Sequence, residues 1–590
     1  MRKYVALIAI SIVVFACQNT NYKELSPIEN TKQSLLQNYT QFANSSKRLD
    51  HLVHAKSDIQ KIQNTFKQTR LQYKKIESFL TFYFPETSKN INGAAINEND
   101  IEETSRKVEY ATGFQKVEEL LFSDEIDAEE LKKQVGILNG FNQSLKSNIE
   151  NIQLSDSNVF EAQKLQMVRL MSLGISGFDS PIALHSIPEA KATIEGISEV
   201  VGLFSKDKKF EAIITKTKMY LDKNQNFNDF DRADFVLNYC IPISNSIHEI
   251  QQKLKIETNP YNNAINLNKK NIFEEGAFNQ DYFAPNYNQK PSQSQIALGE
   301  KLFFDPILSG NNTVSCATCH LPNQGYADHK TKAVKNKLNT RNTPTLLNSA
   351  FQNTQFLDGR VTYLEDQAKS VINNKDEMHG SFSNALDKIN KSKVYRASFK
   401  KNFPSDIEIT EQNLLKSLAS YVRSLSKLNS KFDHYLRGKT QLTSSEKKGF
   451  NLYMGKAKCA TCHFFPLFNG SVPPLYNDTE SEVLGVPATN NTEKAKIDSD
   501  LGEYLISKAP LKKHAFKTPT VRNSAITFPY MHNGVYQNLE EVLDFYNRGG
   551  GSGIGINLDN QTLPTDSLNL TKKEIQDLIA FIKTLNNPSY

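Results

Sequence analysis

The 590-residue sequence predicts a mainly α-helical protein, with a helical bundle in its first half and two smaller helical domains in its second half. Three observations support this fold class. Apolar and aromatic residues recur at helical spacing up to about residue 272. A segment rich in Pro, Asn and Gln interrupts that pattern, and after it a short helical segment followed by Cys-Ala-Thr-Cys-His occurs twice. We therefore place a bundle at 18–275, a linker at 276–292, and two domains at 293–440 and 441–590.

Residues 1–17 have the organisation of an export signal that ends in a lipidated cysteine. A Met-Arg-Lys start is followed by an apolar run to Ala16, too short to cross a membrane as a mature helix, and then by Cys17. The Val-Phe-Ala-Cys end resembles a bacterial lipobox, which implies cleavage before Cys17 and a lipid anchor on its thiol. An ordinary signal peptide is the alternative. Either interpretation predicts a periplasmic protein, and Gln18 favours the outer membrane.

The charge balance argues against one class of partner. The chain has 70 basic and 64 acidic residues, which give a net charge of +6. We find no basic run and no basic patch interleaved with aromatic residues of the kind that follows a nucleic acid. We therefore expect no nucleic-acid binding.

The pentapeptide at 316–320 and 459–463 is the attachment sequence of c-type haem. Its two thiols can each form a thioether to a porphyrin vinyl group, and the adjacent His can bind the iron. The alternatives are a redox dithiol and half of a zinc site. Neither requires a His directly after the second Cys in both copies of the motif. We therefore expect two cytochrome c-like domains with covalent haems, on Cys316, Cys319 and His320, and on Cys459, Cys462 and His463. The remaining Cys240 is expected to be a buried structural thiol.

Two segments of the bundle, 70–77 and 113–119, faintly resemble the imelysin-like helical domains of exported bacterial proteins. That family often carries Gly-x-His-x-x-Glu, where this chain has Gln115 in place of the His. Without the His, we expect the glutamates of these segments, Glu77, Glu118 and Glu119, to be solvated charges on helix faces. The bundle is then a scaffold or a docking surface for a partner.

Seven further segments accompany the two pentapeptides. They are Arg-Asn-Thr-Pro-Thr-Leu-Leu-Asn (341–348), Gln-Phe-Leu-Asp-Gly-Arg (355–360), Leu-Glu-Asp-Gln-Ala (364–368), Glu-Met (377–378), Thr-Pro-Thr-Val-Arg-Asn (518–523), Pro-Tyr-Met-His-Asn-Gly (529–534) and Leu-Glu-Glu-Val (539–542). In this order and spacing, the second half of the chain resembles the bacterial di-haem cytochrome c peroxidase and MauG family. The resemblance implies reduction of hydrogen peroxide at the first haem, with electrons from a small cytochrome or similar redox protein entering through the second.

The resemblance implies that the first haem is the reaction centre. Glu377 corresponds to the family's acid–base glutamate, which moves a proton between the peroxide oxygens, and Gln367 corresponds to a neighbouring pocket glutamine. The displaceable His of typical peroxidases has no counterpart at 335–338, and His329 lies too close to His320 in the sequence. We therefore expect a five-coordinate first haem with His329 on a surface loop. A resting ferric spectrum with only low-spin haem would contradict this.

The resemblance implies an electron-transfer role for the second haem. Tyr546 occupies the position of the family's Met ligand, and MauG-like members use a tyrosine there. A phenolate is a hard anionic ligand, which stabilises the ferric state. The alternative is that Tyr546 is an aromatic residue packed on its helix, with Met531 as the substitute ligand. His532 is expected beside this haem, hydrogen-bonded to a propionate or a water. The family also binds a calcium ion between the haems, at positions that match Asn342, Thr527 and Pro529.

One departure from the family pattern affects the path of charge between the haems. Leu357 replaces the common Trp, and Val371 replaces a pocket Pro. Leu cannot be oxidised as an intermediate, so charge would tunnel directly or use Phe356 or Tyr363.

Two other functions stay open. A MauG-like oxidase that modifies a partner protein is favoured by the tyrosine ligand and disfavoured by the missing Trp. A non-catalytic di-haem electron carrier is disfavoured by the acid–base glutamate.

Overall fold

A computed structural model of the chain describes residues 25–99, 107–332 and 341–588. The described part is mainly helical, with two small antiparallel pairs of strands, which confirms the predicted fold class. The predicted signal with Cys17 and the segment 335–338 lie outside the described residues. Within the described part, no helix combines the length and the apolar character needed to cross a membrane.

The first half of the chain forms the bundle. Its α-helices are α1 (Pro27–His54), α2 (Ile59–Tyr83), α3 (Pro85–Asn92), α4 (Gly113–Leu121), α5 (Ala128–Asn151), α6 (Asp156–Arg169), α7 (Ser186–Phe204), α8 (Lys208–Lys223), α9 (Arg232–Phe235) and α10 (Ile241–Lys253). Strands β1 (Glu98–Asn99) and β2 (Val108–Glu109) pair antiparallel between α3 and α4. Two π-helical turns, Leu170–Gly174 and Val236–Cys240, continue α6 and α9, and Cys240 is fully buried as expected.

The second half contains ten further α-helices in its described part. They are α11 (Gln293–Phe304), α12 (Leu364–Asn373), α13 (Phe382–Lys391), α14 (Lys393–Asn402), α15 (Glu411–Ser424), α16 (Lys431–Leu436), α17 (Ser444–Tyr453), α18 (Tyr504–Ser507), α19 (Leu539–Asn547) and α20 (Lys572–Lys583). Strands β3 (Ser481–Val483) and β4 (Ala515–Lys517) pair antiparallel. Short 3₁₀ turns connect these elements, and two of them, Cys316–Thr318 and Cys459–Thr461, carry the pentapeptides.

The two C-terminal domains are built around the same helix crossing. In the first domain α11 packs against α15, and in the second α17 packs against α20. A Cβ atom on Gly299 of α11 would come within 1.9 Å of the Ser417 carbonyl oxygen. A Cβ atom on Gly449 of α17 would come equally close, 1.9 Å, to the Asp577 carbonyl oxygen. Only glycine permits this approach, so the same close contact recurs in both domains.

The hydrophobic cores cross the boundary that the sequence suggests. One core lies within the first part of the bundle, around α1, α2 and α5. A second core is shared by the rest of the bundle and the second C-terminal domain, and it includes Ile243 of α10 with Phe450 and Phe581. The predicted linker is itself packed, because the ring of Phe278 meets that of Tyr476 edge-on at 5.5 Å. The second domain therefore depends on the bundle for part of its core.

A buried network of charges lies inside the bundle and corrects one expectation. Lys74 donates to Glu77 and to Asp179, at 2.7 Å in each case. Glu118 accepts two backbone N–H groups at 2.9 Å. The expectation that Glu77 and Glu118 are solvated is wrong, since they are 1 % and 0 % exposed. Of the three glutamates, only Glu119 is partly exposed. Helical periodicity does not distinguish a solvated carboxylate from one that a distant cation pairs inside the core.

Candidate functional site

One cavity of about 970 Å³ contains both pentapeptides. The two cysteines and the histidine of each pentapeptide line it. So do the other predicted site residues of the described part of the chain, namely Asn342, Gln367, Glu377, Thr527, Pro529, His532 and Tyr546. The fold therefore gathers residues from both C-terminal domains around a single space.

The first pentapeptide holds its histidine in a fixed orientation. The Nδ1–H of His320 donates to the Tyr326 carbonyl oxygen at 3.0 Å. Burial lowers the pKa of His320, although this hydrogen bond opposes the effect. The ring is therefore neutral at pH 7, and Nε2 keeps a lone pair for a metal. Neither Cys316 nor Cys319 is in a disulfide bond, and burial raises the pKa of the Cys316 thiol to about 12.

The second pentapeptide has the same arrangement. The Nδ1–H of His463 donates to the Pro519 carbonyl oxygen at 2.8 Å, and burial lowers the pKa of this imidazole too. Pro519 is the centre of a Thr-Pro-Thr sequence that recurs around Pro344, whose carbonyl also acts on the first histidine. Burial raises the pKa of Cys459 to about 12. The two motifs are thus equivalent in their local contacts.

The residues present fit two haem groups. Each site offers a pair of free thiols and one oriented, neutral imidazole on the wall of a large cavity, which is the donor set of haem c. A zinc ion held by both cysteine pairs would require the pairs to converge. Across the three described ranges, no group of three His, Cys, Asp or Glu side chains is arranged to hold a metal ion.

Glu377 and Gln367 lie where α12 and the turn after it meet the cavity. The Nδ2 of Asn374 donates to Glu377 Oε1 at 2.8 Å and fixes the carboxylate. Burial raises the pKa of Glu377, and the nearby charge of Arg360 and the bond from Asn374 partly offset the shift. A fixed carboxylate with a raised pKa, beside a side-chain amide, is suited to exchanging a proton with a small ligand in the cavity.

His329 is held away from the cavity by two contacts. Its ring stacks on Phe528 with 4.0 Å between ring centres, and its Nε2 hydrogen-bonds the Ile526 carbonyl oxygen at 3.0 Å. The residue lies on a loop, as expected, but it is half-buried rather than on the surface. These contacts leave it engaged with another segment of the protein, and it is not among the residues that line the cavity.

Tyr546 lies on α19 beside the second pentapeptide. Burial raises the pKa of its hydroxyl, and the Cys462 and Cys459 thiols add to the shift. The phenol is therefore within electrostatic reach of both cysteines of that motif. Met531, the substitute ligand, also lines the cavity. Ligation of an iron by Tyr546 stays a prediction.

The residues predicted for calcium lie close together on the cavity wall. Asn342 Nδ2 donates to the Pro529 carbonyl oxygen at 2.8 Å, and its backbone N–H donates to the His532 carbonyl oxygen at 3.0 Å. Thr527 stands two positions before Pro529. Turning the side-chain amide by 180° would place Oδ1 beside the Pro529 carbonyl oxygen, and oxygen ligands suit calcium. The site stays a prediction.

His532 has a partner that the sequence did not indicate. Its Nε2 hydrogen-bonds Asp498 Oδ1 at 3.1 Å, and its ring stacks on Phe516 with 3.9 Å between centres. Although burial opposes it, bonds from His532 and Asn533 hold the pKa of Asp498 well below its usual range. His532 is therefore anchored by protein groups at the cavity wall.

Two basic residues of the cavity wall were not predicted from the sequence. Arg341 bridges Asp358, at 2.6 Å, and Asp500, at 2.7 Å. Lys517 donates its Nζ to the Thr354 carbonyl oxygen at 2.9 Å, and burial lowers its pKa to about 8. Ion pairs and hydrogen bonds between residues so far apart in the chain leave no recognisable motif in the sequence. The Thr-Pro-Thr repeat, next to both residues, was the one available signal.

Comparisons with known proteins identify the family of the second half of the chain. A family model described as di-haem cytochrome c peroxidase matches residues 293–441. The chain is 36 % identical to cytochrome-c peroxidase IdrP1 of Pseudomonas sp. (strain SCT) over 50 % of its own length and 81 % of the relative's. It is 33 % identical to the methylamine utilization protein MauG of Methylorubrum extorquens, over 49 % of this chain and 78 % of MauG.

Among solved structures, a MauG-like protein associated with microbial copper homeostasis is similar to 52 % of this chain and 92 % of its own, with 29 % identity and a TM-score of 0.47. The imelysin-like resemblance of the bundle stays a prediction. The extensive coverage of curated relatives at more than 30 % identity settles the family of the second half. The chain belongs to the di-haem cytochrome c peroxidase and MauG family of oxidoreductases.

Proposed function

We propose that the protein is a periplasmic, lipid-anchored di-haem peroxidase that reduces hydrogen peroxide to water at its first haem, with electrons entering through the second. Family membership supports the peroxidase chemistry. The observation that carries the proposal is the position of Glu377 and Gln367 in the one cavity that both pentapeptides line. The Cys17 anchor rests on the sequence alone.

The chain's own residues would manage the protons of the reaction. Haem attached at Cys316 and Cys319 would supply the iron that binds peroxide and exchanges electrons with it. Glu377 accepts the proton of the inner peroxide oxygen and returns it to the outer oxygen, so that the leaving group departs as water. Asn374 keeps the carboxylate in place, and Gln367 orients the peroxide through its amide. One peroxide, two electrons and two protons give two waters.

The second site would receive the electrons. Haem on Cys459 and Cys462, with His463 and Tyr546 as ligands, would be closed to exogenous ligands. Asn342, Thr527 and Pro529 would hold a calcium ion. The donor would be a small cytochrome or a similar redox protein. The predicted tyrosine ligand also supports a second candidate, a MauG-like oxidase that removes electrons from a partner protein.

Peroxide turnover by the purified di-haem protein tests the proposal. We expect rapid reaction with peroxide and oxidation of two reduced small cytochromes for each peroxide consumed. Reaction with peroxide without oxidation of any cytochrome would favour the MauG-like candidate. If peroxide leaves the absorption spectrum unchanged, the protein is an electron carrier and the proposal fails.

Replacing Tyr546 by Phe tests the second site. We expect the low-spin signal of the second haem to change in absorption and electron paramagnetic resonance spectra, because a phenolate ligand is lost. Tyr536→Phe is the matched control, since Tyr536 is also a buried tyrosine near α19, with its ring 5.6 Å from that of Phe545. A low-spin signal that is the same in Tyr546→Phe as in the wild type would exclude the tyrosine ligand.

A further inference from the structure

Arg232 of the bundle is a fully buried cation whose hydrogen bonds all go to backbone carbonyls. It is 0 % exposed. Its Nε donates to the Ile175 carbonyl oxygen at 2.8 Å, Nη2 to that of Phe227 at 2.8 Å, and Nη1 to that of Phe230 at 3.2 Å. The guanidinium also lies 4.4 Å from the centre of the Phe227 ring. Carbonyl dipoles satisfy its N–H groups but leave its charge in place.

Within the described ranges, Arg232 forms no ion pair with a carboxylate, and this sets it apart. Among the residues that the structure describes, the three other largest fully buried arginines each bind a carboxylate: Arg70 binds Glu189, Arg423 binds Glu365 and Arg522 binds Asp433. The adjacent Asp231 instead binds Lys447 at 2.7 Å and Asn451 at 3.1 Å. Asp231 acts on Arg232 only through its nearby charge. A buried cation with no directly bonded carboxylate is costly to keep, so its retention calls for a reason beyond packing.

The charge lies against the segment that leads into the second pentapeptide. A Cβ atom on Gly455 would come within 2.8 Å of Arg232 Nη1, so the guanidinium rests against the backbone at that point. The Gly455 carbonyl oxygen accepts the N–H of Lys458 at 2.8 Å, and Lys458 immediately precedes Cys459. The π-helical turn before Ile175 also contacts the 3₁₀ turn of the pentapeptide. Arg232 thus contacts the backbone four residues before Cys459, and a backbone hydrogen bond connects that point to the start of the haem-attachment segment.

We propose that Arg232 is a positioning residue that raises the reduction potential of the second haem. This rests on the proposed function, which places a haem on Cys459 and Cys462. A fixed cation in a water-poor environment favours the reduced iron, which carries one positive charge less. A phenolate from Tyr546 acts in the opposite direction, because it favours the ferric state. The bundle therefore supplies a charge that offsets the anionic ligand and keeps the second haem reducible by a donor.

Redox titration of the intact di-haem protein tests this. In Arg232→Gln, which keeps donors for the carbonyls, and in Arg232→Met, which keeps the volume, we expect the equilibrium constant for reduction of the second haem to fall about tenfold, or about 59 mV for one electron. The first haem should keep its potential. Arg232→Lys, which keeps the charge, should stay within about threefold of the wild type. Either neutral variant is sufficient if the other does not fold.

Arg437→Gln is the matched control. Its guanidinium also binds backbone carbonyls, those of Phe273 and Leu428, but it is partly exposed, so that solvent screens its charge. We expect no shift in that variant. An unchanged potential in the neutral Arg232 variants would overturn the inference, and so would equal shifts in the neutral and lysine variants, which would indicate lost contacts rather than lost charge. A wild type without haem on Cys459 and Cys462, detected by mass, would instead refute the proposed function.

Discussion

Replacing Glu377 by Gln is expected to lower kcat for peroxide reduction about 10²- to 10⁴-fold, the usual cost of removing a positioned acid–base group. The amide has the size of the carboxylate, but it cannot accept the peroxide proton. The bond from Asn374 at 2.8 Å shows that the carboxylate is held in one orientation, so water in the cavity is a poor substitute. Steady-state kinetics with a reduced cytochrome measure the effect.

An exposed carboxylate of α13 provides the control. Asp387 does not line the cavity, and Asp387→Asn should keep kcat within about twofold of the wild type. The pH profile gives a second readout. Because burial raises the pKa of Glu377 and the mechanism needs its ionised form, wild-type activity should fall as the pH drops through a value above the usual 4.5. The Gln variant should lack this acid limb. Equal losses in both variants would contradict the assignment.

Replacing Asp179 by Asn in the bundle is expected to lower the free energy of unfolding by about 3–5 kcal/mol, as is typical when one partner of a buried ion pair is removed. Asp179 accepts two bonds from Arg169, at 2.7 and 2.8 Å, and one from Lys74 at 2.7 Å. The neutral amide removes the carboxylate that Arg169 and Lys74 share. Denaturant unfolding, followed by far-ultraviolet circular dichroism and separately by haem absorbance, measures the loss.

The control is an exposed pair in the same bundle. Lys191 and Asp222 form an ion pair on the surface, with side chains that are 31 % and 51 % exposed. Asp222→Asn should cost no more than about 1 kcal/mol. If the two variants lose the same stability, the buried network is not a major contributor to the stability of the bundle.

The same network predicts how the free energy of unfolding depends on pH in the acidic range. Burial alone would raise the pKa of Glu189, but Arg70, at 2.6 Å, outweighs it and holds the pKa at about 2, below the usual 4.5. A carboxyl whose folded-state pKa is depressed contributes stability that is fully present above its unfolded pKa. That contribution should therefore disappear as the pH falls from about 4.5 to about 2.

The family of the second half and its helical class could be predicted from the sequence because the signals that carry them are local. Five consecutive residues define each haem-attachment motif, and the cavity gathers Glu377, Gln367 and Tyr546 as the order of the motifs implied. The helical class followed from the spacing of apolar residues. These features can be read along the chain without knowledge of which elements touch.

What the sequence did not predict depends on contacts between distant residues. Glu77 and Glu118 looked like solvated charges because buried partners of both come from other elements. Arg169 of α6 pairs with Glu77, and the N–H groups of Ile182 and Ala183 donate to Glu118. The bond between His532 and Asp498 joins two loops that share no pattern. The contact of Arg232 with Gly455 could not be predicted for the same reason, because the linker lies between these two residues in the sequence. Periodicity reports which face of a helix is buried but not what it meets.

The core shared by α10, Phe450 and Phe581 has a consequence for how the gene can change. Where two halves of a chain bury side chains against each other, a volume change on one side is tolerated only with a compensating change on the other. Substitutions around Ile243 and around the second haem domain should therefore covary across related sequences, although the linker separates the two regions in the sequence. The bundle and the peroxidase half of this chain would then be inherited as one unit rather than exchanged as separate modules.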